Sequence, residues 1–182
     1  MRILYVCTGN TCRSVLAEYL TRALVPGIEV ESAGIRLLVT ENASKAIQTL
    51  DNEFNIDASQ HMPRQIGEVA VDRFDLVIAL DSKVPAHLRV PPEGLRLWNI
   101  DDPWGGNDYE YRTCAFQIRK RVIGLKNELR RTGLKISDDA SQRRAIRLVG
   151  TLSARPSAYR VLRQSNRRRG HCRGRMGAER EP

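Results

Sequence analysis

One short segment of this 182-residue chain combines a thiol, an arginine and small residues at a spacing that suits anion chemistry. It runs from Cys7 to Ser14, reads C-T-G-N-T-C-R-S, and lies between an apolar run and a helical pattern. Backbone N–H groups of such a loop converge on a tetrahedral dianion, and the following helix adds its positive end. Arg13 offers a planar, two-pronged donor to phosphate oxygens, and a Cys7 thiolate can attack phosphorus. The segment predicts a phosphate-transfer site with a cysteine nucleophile.

Other uses of these thiols have less support. Cys7 and Cys12 could be small buried residues or half of a zinc site. Zinc needs about four ligands at a recognisable spacing, and the remaining candidates show no such pairing. Those candidates are Cys114, Cys172, His61, His87 and His171. The strand-before, helix-after context favours catalysis. The residues predicted to surround the phosphate are Thr8, Gly9, Asn10, Thr11, Cys12, Arg13 and Ser14.

A second segment offers the proton that a leaving group needs. Asp102 is followed by Pro103, which holds the preceding residue extended and projects it away from the strand before it. Trp104 is placed to wall the pocket and exclude water. Taken alone, the segment would be an ordinary turn with a surface aromatic residue. Paired with the first loop, it predicts Asp102 as a general acid that later acts as a base toward water. Asp101, nearer the strand, is the weaker candidate.

The chain alternates predicted strands and helices. The strands are Arg2 to Cys7, Ile28 to Glu31, Asp75 to Asp81 and Leu95 to Ile100. The helices are Val15 to Leu24, Asn42 to Phe54, a shorter one after Pro63, and Tyr109 to Arg131. Ser32 to Gly34 is predicted as a turn. This order favours an α/β fold whose parallel sheet has helices on both faces and binds ligands at the carboxyl ends of its strands. Cys7 and Asp102 both fall at that edge.

The net charge of +9 is confined to one end of the chain. Residues 1–133 contain 17 basic and 17 acidic side chains, whereas residues 134–182 contain 13 and 4. We expect a phosphatase domain over 1–133 and a basic, low-complexity tail over 134–182. Residues 140–152 have the pattern of a basic helix, but the Arg- and Gly-rich residues 166–182 cannot bury enough surface to order, so the tail is predicted mostly disordered. RNA or polyanion binding through the tail is an alternative function, and a solvated extension is the simpler interpretation.

Composition also bears on location. The longest apolar stretch near the start, Ile3 to Cys7, is too short for a signal peptide or a membrane span. Four cysteines, two of them in the proposed loop, do not resemble a secreted disulfide framework. A reactive thiolate also favours a reducing compartment. We expect a cytoplasmic protein without membrane contact.

Several motifs together resemble the low-molecular-weight protein tyrosine phosphatases over residues 1–133. They are V-C-T-G-N-T-C-R-S, S-A-G at Ser32, S-Q-H-M-P-R-Q at Ser59, D-L-V-I-A-L-D, and D-D-P-W-G-G. The resemblance implies a flavodoxin-like four-stranded sheet, phosphorylated protein substrates, no metal or cofactor, and no obligate partner. It implies Cys7 as nucleophile, Arg13 as phosphate clamp and Asp102 as general acid and base. It further implies that Ser14 hydrogen-bonds Cys7, and that Ser32 and His61 support Asn10. Val15 departs from the family, which often has proline there.

Two details bear on which phosphorylated residue is hydrolysed. Thr11 stands where tyrosine-selective members commonly carry an apolar residue, and glycines follow Trp104 where those members carry a second aromatic. Both features resemble the protein arginine phosphatase branch. A threonine hydroxyl can orient water near an N–P bond, and a small neighbour admits a guanidinium. We therefore favour phosphoarginine slightly over phosphotyrosine.

Redox chemistry is a further alternative. The related arsenate reductases need relay cysteines, but Ser82 to Pro92 contains none, and Cys114 and Cys172 are poorly placed by sequence. Arsenate reduction is therefore the less favoured interpretation. Cys12 is close enough in sequence to form a protective disulfide with Cys7 on oxidation. It is equally well explained as a small packed residue.

Overall fold

The computed structural model of the chain describes residues 1–37, 44–81, 90 and 94–133. These residues form a four-stranded parallel sheet with the strand order β2-β1-β3-β4. The strands are β1 Arg2–Cys7, β2 Glu29–Gly34, β3 Leu76–Ala79 and β4 Leu95–Leu97. The helices are α1 Arg13–Leu24, α2 Ser44–Phe54 and α3 Asp108–Arg131. The predicted α/β fold is confirmed.

The two faces of the sheet are covered differently. Ile3 and Tyr5 of β1 point to one face, where they join a large apolar core with α1, α2 and α3. Leu4 and Val6 point to the other face and pack in a smaller cluster that includes Ile66. Strand side chains alternate between faces, so a single buried strand supplies both cores. Two short 3₁₀ helices, Ile66–Glu68 and Val71–Arg73, follow one another over this second face.

Some predicted elements need correction. The predicted turn at Ser32 to Gly34 is wrong, because β2 continues to Gly34 and pairs it with Cys7. The predicted helix after Pro63 is also wrong. Val69 between the two 3₁₀ helices is extended, a conformation that β-branched residues favour. The predictions for residues 134–182, including the basic helix and the disorder, lie outside the described residues.

The carboxyl ends of β1, β3 and β4 bring distant residues to one edge. Cys7 ends β1, and Asp81 follows β3 by two residues. Beyond β4 the chain continues alongside β3, with the N–H of Trp98 donating to the carbonyl of Ala79 at 2.9 Å. It then reaches Asp102 at the same edge. A parallel sheet therefore places the first loop beside the predicted acid.

The described residues contain no helix that is long and apolar enough to cross a membrane. Nor do they contain a group of three or more His, Cys, Asp or Glu side chains arranged to hold a metal ion.

Candidate active site

The loop from Cys7 to Ser14 connects β1 directly to α1. Cys7 is only 2% exposed, and its Sγ lies 3.0 Å from the Ser14 hydroxyl. That hydroxyl can donate to the sulfur and stabilise a thiolate. Cys12, the residue before α1, makes no side-chain cap hydrogen bond. The first-turn N–H groups of α1 are therefore not capped by that side chain, which suits a helix start that binds an anion.

Asn10 fixes the shape of this loop. Its backbone is left-handed, with φ of 54°, a conformation that asparagine tolerates better than most residues. Its Nδ2 donates to the hydroxyls of Ser14 at 3.0 Å and Ser32 at 2.7 Å. Its Oδ1 accepts from the Arg64 N–H at 3.0 Å. One fully buried amide thus fastens the loop to its own helix, to β2 and to the segment after His61.

A second layer of polar groups supports Asn10. His61 Nε2 lies 3.1 Å from the Asn10 carbonyl oxygen and donates to it in the Nε2-protonated form. His61 Nδ1 lies 3.9 Å from the Glu18 carboxylate, which also accepts from the Ser32 hydroxyl. Burial lowers the pKa of His61, while the bond to the Asn10 carbonyl and the charge of Glu18 act in the opposite direction. Ser32 and His61 therefore occupy supporting positions behind the loop.

Gly34 contacts the site but was not predicted as a site residue, although it belongs to the S-A-G motif at Ser32. A Cβ placed on it would lie 2.8 Å from the carbonyl carbon of Gly9 and 2.9 Å from the N of Asn10. Real Cβ atoms do not approach backbone that closely. The end of β2 therefore touches the anion loop, and only glycine lets the two backbones come together there.

Arg13 is buried, and its guanidinium nitrogens contact several partners. Nη1 donates to the Ile100 carbonyl at 3.0 Å, and Nη2 donates to Asp102 Oδ2 at 2.7 Å. Nη2 also lies 3.4 Å from Asp81. Nε is buried and has no hydrogen-bond partner among the described residues. Because leaving a buried N–H unpaired costs free energy, this group favours an acceptor beside it.

Two carboxylates flank Arg13. The Asp102 side chain is 42% exposed, and its other oxygen accepts from the Trp104 N–H at 3.2 Å. Asp81 accepts from the Thr8 hydroxyl at 3.1 Å and was not predicted as a site residue. Asp81 is the last residue of the predicted strand Asp75 to Asp81, and this position could have indicated it, because the carboxyl ends of parallel strands meet at one edge.

These groups meet around one small pocket of about 70 Å³. Water fills about 30 Å³ per molecule in the liquid, so the pocket suits an ion of phosphate size better than a large ligand. Trp104, 53% exposed, forms part of its wall. The lining residues are Cys7, Thr8, Gly9, Thr11, Cys12, Arg13, Asp102 and Trp104. The structure thus brings together the predicted nucleophile, clamp and acid, with Asn10 and Ser14 buried within the loop.

Cys114 lies in the same apolar core as Cys12, although the two are far apart along the sequence. Burial raises the pKa of Cys12 to about 12, although a hydrogen bond with Tyr111 acts to lower it. Burial likewise raises the pKa of Cys114 to about 12, and the nearby Cys12 adds to that rise. Tyr111 and Cys114 share the buried face of α3, which packs against α1. The packing of α3 on α1 therefore places Cys114 in the core beside the loop. A disulfide between Cys7 and Cys12 remains a prediction.

A parallel α/β sheet with a thiol and an arginine around one anion-sized pocket is typical of the cysteine-dependent phosphatases. A family model described as low molecular weight phosphotyrosine protein phosphatase matches residues 2–135. This chain belongs to that family.

Individual relatives and a solved structure agree with the family match. The probable low molecular weight protein-tyrosine-phosphatase EpsP of Ralstonia solanacearum is 29% identical over 141 residues, which cover 72% of this chain and 97% of that protein. An arsenate reductase of Bacillus cereus (strain AH187) is 36% identical over 127 residues, covering 66% and 90%. The structure of the YwlE arginine phosphatase from Geobacillus stearothermophilus is similar with a TM-score of 0.63 and 30% identity, covering 73% and 95%. This chain is thus similar to proteins with three different named activities.

Proposed function

We propose that this phosphatase hydrolyses phosphorylated protein side chains through a cysteinyl-phosphate intermediate. The observation that carries the proposal is the single pocket lined by Cys7, Arg13 and Asp102. In the first step the Cys7 thiolate attacks phosphorus in line, and the bond from phosphorus to the leaving oxygen or nitrogen breaks. Protonated Asp102 gives its proton to the departing group. The phosphoryl group is then bound to Cys7 Sγ.

The second step returns the enzyme to its starting state. Asp102, now a carboxylate, takes a proton from water, which attacks the phosphorus and breaks the bond to Cys7 Sγ. The Ser14 hydroxyl, 3.0 Å from that sulfur, stabilises the departing thiolate. Arg13 and the N–H groups at the start of α1 stabilise the negative charge that the phosphoryl oxygens carry in both steps. The buried Nε of Arg13 supports this role, because it is free to donate to such an oxygen.

Within that activity we favour phosphoarginine as the substrate over phosphotyrosine. Thr11 lines the pocket, where its hydroxyl can orient water. Trp104 is followed by Gly105, whose φ of 78° favours glycine, so no second aromatic side chain narrows the entrance there. The YwlE arginine phosphatase, whose solved structure is similar to this one, has 30% sequence identity to this chain, which agrees with this preference.

The test compares initial rates of phosphate release from matched phosphoarginine and phosphotyrosine peptides, using the full chain. We expect faster release from phosphoarginine, and Thr11→Ile should shift the preference toward phosphotyrosine. Cys7→Ser should abolish turnover on both peptides while leaving the circular dichroism spectrum unchanged. Turnover of either peptide by Cys7→Ser at the native rate would contradict the proposed chemistry. A native preference for phosphotyrosine would contradict only the substrate assignment.

Arsenate reduction is a second candidate because Cys114 lies near Cys12 and an arsenate reductase is 36% identical to this chain. Reduction of arsenate to arsenite takes two electrons, which two thiols supply when they form a disulfide. The assay therefore measures arsenite produced from arsenate in the presence of an external dithiol reductant. We expect no more arsenite than Cys7→Ser produces. Arsenite formation that depends on Cys7 and Cys114 would establish this second activity.

We further propose that residues 1–133 contain the whole catalytic unit, so a chain ending at 133 should keep the native kcat/KM on a phosphopeptide.

The protein works in the cytoplasm, where its thiols stay reduced, and it needs no partner other than its phosphorylated substrate. The basic tail over 134–182 has no function in binding RNA or another polyanion. Salt-dependent retention on RNA that disappears when 134–182 are deleted would contradict this.

A further inference from the structure

A groove of about 780 Å³ lies away from the pocket, between the edge of the sheet and α3. We call it the β4–α3 groove. Its sheet side is residues 96–100, in β4 and just beyond it, and its helix side includes Lys120, Arg121 and Glu128. It is large enough for several residues of another polypeptide, whereas the pocket at Cys7, at about 70 Å³, has room only for a small ion. The proposed chemistry makes no use of this groove.

The sheet side of the groove is an edge strand. In the strand order, β4 pairs only with β3, so its other edge has no neighbouring strand among the described residues. Edge strands are the usual place where an extended peptide adds to a sheet by main-chain hydrogen bonds. Leu97 on this strand is 54% exposed and offers apolar contact. The edge therefore favours an occupant in extended conformation.

The charge of the groove favours an acidic occupant. Arg96 is bound by the Glu128 carboxylate through both oxygens, at 2.7 and 2.6 Å, so these two charges offset one another. Lys120 and Arg121 remain as positive charges, and Arg121 reaches across to the Trp98 carbonyl at 3.4 Å. Residues 1–133 carry equal numbers of basic and acidic side chains. The positive groove is thus a local feature and not a general excess of charge in this region.

Ile100 connects the groove lining to a residue of the pocket. It is part of the groove lining, and its carbonyl accepts from Arg13, the predicted phosphate clamp. Asp102 follows two residues later. The helix side runs from Gln117 to Glu128, a rise of about 16 Å at 1.5 Å per residue. An extended chain covers that distance with about five residues, because a strand rises about 3.3 Å per residue.

We propose that the β4–α3 groove docks an acidic, extended segment of the phosphorylated protein substrate, about five residues long. This inference rests on the proposed function, because it assumes that the phosphorylated residue of the same substrate lies at Cys7. Lys120 and Arg121 select acidic side chains, and the free edge of β4 holds the backbone. The groove sets substrate choice and takes no part in bond breaking.

The test uses pairs of phosphopeptides with a block of glutamates or a block of glutamines on the amino or the carboxyl side, at several spacings. At low salt, glutamates on one side should lower KM about three- to tenfold relative to glutamines, with kcat unchanged. Added salt should remove the difference, since the contacts are exposed ion pairs. Replacing both Lys120→Glu and Arg121→Glu should remove it as well. Arg119→Glu is the control for the single variants Lys120→Glu and Arg121→Glu, because it reverses one charge on α3 at a residue outside the groove lining.

Each outcome is decisive. Equal KM values for glutamate and glutamine peptides on both sides would overturn the docking proposal, as would an equal effect of Arg119→Glu. If the groove variants change the oligomeric state in sedimentation and leave KM unchanged, a second copy of the chain occupies the groove and the proposal is also wrong. A small aryl phosphate is too short to reach the groove, so its hydrolysis depends on the proposed phosphatase activity but not on docking. Failure of the native protein to hydrolyse both it and the peptides would contradict the proposed function itself.

Discussion

The two loops that form the pocket are held in different ways. The Cys7–Ser14 loop is buried, and the Asn10 amide binds three neighbours. The loop after β4 is more open, since the Asp102 side chain is 42% exposed and Trp104 is 53% exposed. Its main link to the first loop is the contact between Asp102 and Arg13 at 2.7 Å.

This difference matches the chemistry proposed for each loop. Donors that stabilise negative charge work best when they are fixed before the reaction, so that nothing needs to reorganise in the transition state. A general acid that later becomes a base must reach first the leaving group and then water, which favours an exposed position. We therefore expect changes in the first loop to affect both stability and rate, and changes at Asp102 in the second loop to affect rate alone.

The largest expected effect is on the exposed loop. Asp102→Asn removes the proton donor and should lower kcat by about 10²- to 10⁴-fold, with little change in the free energy of unfolding. Asp101→Asn is the control, being the same substitution one residue earlier, and should keep at least about a third of the native kcat. The measurement is steady-state hydrolysis of the phosphopeptides together with urea unfolding. Equal losses in the two variants would mean that the acid has not been identified.

The next effect is on the buried loop. Asn10→Ala removes one hydrogen bond from each of the Ser14 hydroxyl, the Ser32 hydroxyl and the Arg64 N–H, and it places alanine in a left-handed conformation. We expect the free energy of unfolding to fall by about 3 kcal/mol and kcat to fall as well. Asn107→Ala removes the N-cap of α3 instead, and should cost about 1 kcal/mol while leaving kcat unchanged. A smaller loss of stability in Asn10→Ala than in Asn107→Ala would contradict the contrast between the loops.

A third effect concerns the strand beneath the buried loop. Gly34→Ala forces a Cβ against the backbone of Gly9 and should destabilise the protein by about 1–3 kcal/mol. Gly124→Ala, in the interior of α3 with open space around it, should stabilise by about 0.5–1 kcal/mol. Thermal and urea unfolding of both variants measure this difference. If Gly34→Ala were as stable as the native protein, the close approach of β2 to the loop would be wrong.

The smallest effect is a dependence of stability on pH. Because burial lowers the pKa of folded His61, the unfolded chain binds more protons below about pH 6.5. The contribution of His61 is therefore fully present above that pH and is lost as the pH falls through the lower folded pKa. His61→Gln should remove this part of the slope of unfolding free energy against pH. Identical slopes in the two proteins between neutral and mildly acidic pH would show that His61 is not the titrating group.

The sequence was sufficient to predict that Cys7 and Asp102 lie at the same edge of the sheet, but not the contacts that shape the pocket. Cys7 and Asp102 could be placed together because Cys7 ends one predicted strand and Asp102 follows another. The carboxyl ends of parallel strands meet at one edge of the sheet. Gly34 could not be identified, because its need for glycine arises only when β2 lies against Gly9. The position of Cys114 could not be predicted for a similar reason. Its distance from Cys12 along the chain is large, and only the packing of α3 on α1 brings the two together.

The most direct test of the central claim is to trap the phosphoryl group on the enzyme. Asp102→Ala should slow the release of phosphate from Cys7, because the same carboxylate is needed to activate water. The variant is mixed with phosphopeptide, quenched with acid and digested, and the fragments are analysed by mass spectrometry. The account predicts one phosphoryl group on the peptide that contains Cys7, absent in the additional Cys7→Ser variant. Release of phosphate with no phosphorylated enzyme, or with the phosphoryl group on another residue, would contradict it.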